Sequence, residues 1–217
     1  MLLNRERVLE AAVAFADREG IAAVSMRKLG QELGVEAMSL YNHVKNKDDL
    51  LDGMVDTILG EIALTPMEGH WKTAMRTRML AARDVIIRHP WVPEVLESRP
   101  VMTPTMMRYM DSIIGFFREG GVSIDLAHHA MHALGSRMLG FTQELFDDSD
   151  AEKDPAGAAA MMQQLSQFPN IVALTEALLH EGDEIVGSGC DSNFEFRFTI
   201  DLLLDGIERL HLAEQEA

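Results

Sequence analysis

The stretch from Ser25 to Lys47 constrains this chain more than any other, because two helical patterns too short to stand alone are separated by only three residues. Ser25 is a good N-cap for a helix over Met26–Leu33, which Gly34 closes. The turn Gly34-Val35-Glu36 leads to a third helix of roughly Ala37–Val44, in which Leu40 and Val44 share the inward face. Upstream, Val8, Ala12, Phe15 and Ala16 recur at helical spacing over residues 5–19, and Gly20 sits where a C-cap belongs. Downstream, Asn46 caps a fourth helix with Asp48 and Asp49 in its first turn, the end that favours negative charge. Leu50, Leu51, Met54, Val55, Ile58, Leu59 and Ile62 give that helix a continuous apolar stripe. These patterns predict a compact three-helix unit feeding a connecting helix.

A short helix, a Gly-containing turn and a second helix with an exposed face make a helix-turn-helix, whose second helix enters the major groove of DNA. Arg27 and Lys28 open the first helix of that pair. Ala37, Met38, Ser39, Tyr41, Asn42 and His43 are left for the groove and the flanking phosphates. Lys45 and Lys47 stand at the start of helix four, where amides and ammoniums together suit a phosphate. A net charge of −16 argues against this only until it is divided. Residues 1–50 hold seven basic against eight acidic groups, and the rest of the chain holds 12 against 27. An acid load of that placement rejects a nonspecific nucleic-acid coat and permits a small, near-neutral reading head.

Beyond Thr65-Pro66-Met67-Glu68-Gly69, taken as the join to a second domain, helical patterns recur over Trp71–His89, Thr105–Glu119 and Ile124–Phe146. Pro90, Pro93, Pro100 and Pro104 punctuate a bent connection between the first two. An acidic, breaker-rich surface loop is expected at 147–157, a helix at about Asn170–Glu181, a Gly182–Ser192 link, and a last helix from Asn193 to about Leu212. Phe194, Phe196 and Phe198 alone would also suit a strand, but the run Ile200–Ile207 favours a helix. No run approaches the roughly 20 apolar residues of a membrane span. The first residues leave no room for a signal-peptide core, and the single cysteine, Cys190, cannot form an internal disulfide. A cytoplasmic protein without membrane contact is expected, with Cys190 a structural or surface thiol.

The run from Leu33 through Lys47, followed by Leu50-Leu51-Asp52, resembles the signature of the tetracycline-repressor (TetR) family. Gly20-Ile21 and Ser25-Met26-Arg27-Lys28-Leu29 match as well, and Phe194-Glu195-Phe196 with Leu203–Glu208 is similar to that family's last dimerisation helix. The resemblance is specific over residues 5–60 and looser beyond. It implies that Arg27 reaches a base edge, that Ser25, Ser39, Tyr41 and Lys47 bind phosphate, and that His43 lies at the DNA backbone. Ala37 and Met38 depart from the family's namesake, where a glutamine precedes a proline, so contact with thymine methyls is expected in place of hydrogen bonds. For Tyr41 the alternative is ordinary packing against helix one.

The resemblance also implies a second domain that pairs with its twin through a four-helix bundle and encloses an apolar effector pocket. Ten methionines between Met75 and Met162 suit an adaptable pocket, although each serves a core equally well. The candidate pocket residues are Met75, Arg78, Met79, Trp91, Val95, Met102, Met106, Met110, His132, Met138 and Glu144. Magnesium-tetracycline is not expected: Val95 and Ala63 stand where the namesake has histidines, Arg78 replaces an asparagine, and Glu144 alone matches a carboxylate near the metal. His128, His129 and His132 form a cluster in which His128 and His132 share a helix face, yet no third ligand is evident.

The expectation is therefore an all-α homodimer, with a three-helix helix-turn-helix domain at 1–46 and a helical effector-binding and dimerisation domain at 47–217. It would act as a ligand-responsive repressor of a palindromic double-stranded DNA operator, released by a small hydrophobic effector, with no cofactor, no metal and no enzymatic activity. Two alternatives stand beside it: a constitutive DNA-binding dimer without effector, and a metal-dependent hydrolase on His128 and His132.

Overall fold

The structure, a computed structural model, describes residues 3–62, 69–99, 101–140, 166–178 and 192–216, and all regular structure among them is helical. The helices are α1 (Arg5–Glu19), α2 (Met26–Leu33), α3 (Ala37–Leu40), α4 (Lys47–Glu61), α5 (Trp71–Arg88), α6 (Val92–Ser98), α7 (Pro104–Glu119), α8 (Ile124–Leu139), α9 (Pro169–Leu178) and α10 (Ser192–Glu216). The chain divides into two compact units, one of residues 1–140 with 204–217 and the other of 141–203. Compactness alone therefore does not part residues 1–46 from the helices that follow.

Local chemistry sets most helix ends. Asn4 accepts from the backbone N–H of Arg7, Ser25 from Lys28, Asn46 from Asp49, Thr103 from Met106 and Ser123 from Leu126, so five helices start on a side-chain cap. Pro104 occupies the first position of α7, where its missing N–H costs nothing. Gly34 closes α2 in the left-handed region at φ +65°.

In the larger unit α1 packs on α2 and α4, and α4 packs in turn on α6 and α7. Val8, Leu29, Leu40, Leu50, Met54 and Ile58 are completely buried along this seam. Each such side chain contributes about 1.5–3 kcal/mol of transfer free energy. Gly53 lets α1 approach closely, since a Cβ there would stand 2.6 Å from a methyl of Leu9. Ionic ties reinforce the seam: Arg5 donates to Asp49 and to the carbonyl of His43, joining α1 to the start of α4. In α5, Lys72 pairs with Asp205 and Glu208 on the C-terminal half of α10.

Four elements differ from expectation. Helix three stops at Leu40, four residues short. The N–H groups of Tyr41, Asn42 and His43 bond three residues back, to Met38, Ser39 and Leu40, in a tighter turn than an α-helix continues. The proline-rich connection contains a two-turn helix, α6, with Pro93 in its first turn, where proline is tolerated. The last helix is longer at both ends than the expected Asn193–Leu212. Helix α8 ends at Leu139, short of the expected Phe146, because Gly140 takes extended backbone at its C-cap; the acidic loop at 147–157, Cys190 and most of the 182–192 link lie outside the described residues.

Candidate functional site

The first candidate surface is the face of α2, α3 and the start of α4. Leu40 and Val44 are buried, as their i, i+4 spacing requires, and they fix which side chains face outward. Met38 is 71% exposed and Tyr41 45%, while Asn42, Lys45 and Lys47 are also exposed. Ala37, Ser39 and His43 are half-buried between them. Tyr41 is thus presented to solvent and not packed away against α1. Arg27 and Lys28 are exposed on the first turn of α2, and the Lys28 ammonium lies 5.9 Å from the ring centre of Phe15. Ser25 is half-buried with its hydroxyl oxygen engaged as the α2 cap. The turn that aims α3 has no slack: a Cβ on Gly30 would stand 2.9 Å from the carbonyl oxygen of Val35.

The basic residues differ in their freedom. Arg5 is committed to Asp49 at 2.8 Å, and that hydrogen bond raises its pKa while holding the Asp49 carboxyl below its ordinary range. Arg18 is occupied by Glu32 at 3.0 Å. Arg5 and Arg18 therefore stabilise the three-helix unit.

The second candidate site is a cavity of about 300 Å³ inside the larger unit. Ile58, Leu59 and Ile62 at the end of α4 form one wall, and α5, α6, α7 and α8 supply the others. Its lining is apolar except for Tyr109 and Arg99. Tyr109 is buried, and burial raises the pKa of its hydroxyl. Arg99 binds outward to α4: Nε donates to Asp52 Oδ1 at 2.7 Å, Nη2 to Asp52 Oδ2 at 2.9 Å, and Nη1 lies 3.0 Å from Asp48. Those carboxylates raise the guanidinium pKa, the hydrogen bonds that Arg99 donates to Asp52 contributing most. Thr103 donates to Asp56, so the segment between α6 and α7 holds three acids spaced one helical turn apart on α4.

Of the expected pocket residues, Met79, Met102, Met106, Met110 and Met138 line this cavity, and Met75, Arg78, Trp91, Val95 and His132 do not. Met75 and Val95 are core residues. Arg78 is buried, its pKa depressed by desolvation; it donates to Ser112 Oγ at 2.9 Å and lies 5.0 Å from the Phe116 ring centre. Trp91 donates its indole N–H to Asp17 of α1. His132 is exposed on α8 with its ring 4.7 Å from that of His128, and His129 is exposed beside them. Among the described residues no group of three or more His, Cys, Asp or Glu is placed to hold a metal. Glu144 and Ala63 lie outside the described residues. Arg99 and the wall from α4 escaped sequence reasoning, because an arginine after a short helix and a leucine stripe both read as ordinary structure. The alternation of Asp48, Asp52 and Asp56 with Arg99 downstream was the available signal.

Comparison with known proteins places this geometry. Residues 8–54 match the family described as "Bacterial regulatory proteins, tetR family", and residues 65–211 match "Tetracyclin repressor-like, C-terminal domain". The HTH-type transcriptional repressor DrrR1 of Streptomyces coeruleorubidus is 30% identical over 216 residues, covering 96% of this chain and 78% of that protein. The class D tetracycline repressor protein of Escherichia coli is 27% identical over 217 residues, covering 96% of each. The crystal structure of the TetR family protein ActR of Streptomyces coelicolor in complex with (S)-DNPA superimposes with a TM-score of 0.72 at 25% identity, over 97% of this chain and all (100%) of that one. Among the described residues no helix is long and apolar enough to cross a membrane. With both halves of the family pattern matched in order and a full-length relative at this identity, the chain belongs to the tetracycline-repressor family of bacterial transcriptional regulators.

Proposed function

We propose that the protein is a ligand-responsive transcriptional repressor that holds a palindromic operator as a homodimer and releases it when a small apolar molecule enters the cavity. One observation carries this reading: a single helix serves both candidate sites. Helix α4 starts at Lys47 under the Asn46 cap, next to the exposed face of α3, and its other end, with its C-cap, gives Ile58, Leu59 and Ile62 to the cavity wall. Its 15 residues span about 22 Å as one stiff rod. A ligand that displaces one end re-aims the other, and the operator is released if the ligand prefers the displaced arrangement. The names of two relatives, a transcriptional repressor and a tetracycline repressor, and the ligand bound by ActR support the same assignment.

Within the head, Arg27 is assigned to a base edge, Ala37 and Met38 to thymine methyls, and Ser25, Lys28, Ser39, Tyr41, Asn42, His43, Lys45 and Lys47 to the flanking backbone. Residues 1–46 act as the reading head and 47–217 as the sensing and pairing domain. A gel-shift on promoter DNA beside the gene tests the reading. A saturable, sequence-specific shift is expected that an added cavity ligand abolishes in the wild type but not in Gly135→Phe, whose side chain closes the cavity. A shift indifferent to any change in the cavity would leave a constitutive DNA-binding dimer.

A further inference from the structure

Among the described residues Arg99 is the one charged residue that borders the cavity, and its charge is directed away from it. We infer, on the reading that this cavity is the effector site, that the effector is an apolar molecule carrying one anionic group, and that this group takes Arg99 from Asp52 and Asp48 and so unfastens α4. The exchange conserves charge at the guanidinium: a carboxylate or sulfonate of the ligand replaces the carboxylate of Asp52 in the same two-point geometry. Asp52 and Asp48 are displaced at modest cost, because their side chains are 30% and 67% exposed and water solvates them once they are released. The ligand's anion inside an apolar cavity has no such recourse to water. Among the described lining residues Arg99 is its only cationic partner, and the low dielectric strengthens that pairing.

The output follows from what Arg99 holds. Asp48, Asp52 and Asp56 stand one turn apart on α4, a like-charged row that Arg99 and the hydroxyl of Thr103 bridge. Met102, between those two anchors, is itself part of the cavity lining. Loss of Arg99 leaves the row bound only through Thr103, and the start of α4, beside the reading face, is freed to move. A neutral apolar ligand fills the same space without touching this fastening, so the charge on the ligand decides whether occupancy is transmitted.

Two fluorescent probes of one skeleton test this on the full-length protein: 1-anilinonaphthalene-8-sulfonate, an anion, and N-phenyl-1-naphthylamine, which lacks the sulfonate. Both are expected to bind saturably at one site that Gly135→Phe closes, since a side chain at Gly135 meets nothing within 4 Å and enters the cavity. Arg99→Gln should weaken the sulfonate probe by about tenfold, as expected for loss of a charged hydrogen-bond partner, and leave the neutral probe within about twofold. Asp52→Asn should act in the opposite direction, strengthening the sulfonate probe by removing its competitor. Hydrogen exchange at the amides of α4 should quicken with the sulfonate probe and in Asp52→Asn alone, but not with the neutral probe. If both variants change the two probes equally, or Asp52→Asn weakens the anion, the inference about Arg99 is wrong while the cavity stands as a ligand site. If neither probe binds a site closed by Gly135→Phe, the effector-site reading itself falls, and the inference with it.

Discussion

The indole N–H of Trp91 donates to the carboxylate of Asp17 at 2.7 Å, joining two residues 74 positions apart. The imidazole of His89 meets the same carboxylate oxygen at 2.9 Å, so the corner between α5 and α6 is fastened to α1 through one acid. Trp91→Phe removes the indole donor from a part-buried contact with an otherwise accessible carboxylate and leaves a gap where the larger ring stood. A loss of about 1–3 kcal/mol is expected. A thermal melt read by circular dichroism checks it, and an unchanged midpoint would mean that the tie holds nothing.

Two glycines around α2 separate crowding from backbone strain. At Gly30 an added Cβ meets the carbonyl oxygen of Val35 and the backbone nitrogen of Ala37, neither of which yields without moving the turn. At Gly34 nothing lies within 4 Å, and only the left-handed φ of +65° opposes a side chain. Gly34→Ala should cost about 1–2 kcal/mol. Gly30→Ala should cost more and weaken DNA binding beyond its effect on folding, because it re-aims α3. Equal losses in both variants, in melting and in DNA affinity, would sink the distinction.

The Arg5–Asp49 pair gives the head an acid sensitivity of known sign. The hydrogen bond from Arg5 holds Asp49 below its ordinary pKa. A carboxylate lowered in the folded state contributes its full stabilisation above the unfolded-state value and loses it as pH falls through the folded-state value. Wild type should therefore exceed Asp49→Asn in stability near neutrality, with the gap narrowing only under acid conditions below the ordinary carboxylate range. Chemical denaturation at a series of pH values measures the gap, which should not change between pH 6 and 8.

DNA affinity should sort the head's residues by role. Tyr41→Ala and Lys47→Ala are expected to weaken binding to all sequences, and Arg27→Ala to relax preference at one base pair by roughly 1–3 kcal/mol. With Arg27, Lys28, Lys45 and Lys47 as the cations that face the duplex, no more than about four phosphates per protomer are neutralised, and a dimer should show a log–log salt slope no steeper than about −7. A steeper slope would mean that further basic residues, such as Arg7 or an Arg5 released from Asp49, join the interface. If the three variants lose equal affinity on operator and scrambled DNA, the assignment of contacts is wrong.

Pairing of two copies should rest on α8 and α10. Ile124 and Leu139 are exposed on α8, and Phe198, Leu202, Leu210 and Leu212 on α10, more apolar surface than a lone helix pair presents to water. Sedimentation should give a dimer at micromolar concentration, and Leu202→Glu should shift it toward monomer. A wild-type monomer would refute the pairing.

Sequence patterning was most legible where helices are short and capped. Ser25, Gly34 and Asn46 placed the ends of α2 and the start of α4, and the spacing of Leu40 and Val44 assigned the face of α3. Patterning misjudged the length of α3, because buried residues at 40 and 44 suit a tight turn as well as a helix. Helix α6 was hidden by its prolines, which mark a helix start as readily as a break. The methionines that line the cavity could not be told from those in the core, since Met75 and Met79 lie on one helix and only the second faces the space. Arg99 was missed for another reason: its partners are about 50 residues upstream, and only folding brings them together.

The tight turn after α3 also bears on descent. Leu40 and Val44 carry the packing of this segment, whereas Ala37, Met38 and Asn42 make no side-chain hydrogen bond or ion pair among the described residues. Changes at the exposed Met38 and Asn42 therefore leave the fold almost untouched, as changes at exposed sites generally do. On the proposed assignment of this face to DNA, a duplicated gene can acquire a new address on the chromosome through surface substitutions alone, without first losing and regaining a stable protein. Drift at the reading face is cheap, and relatives that share this scaffold are free to part company in the promoters they govern.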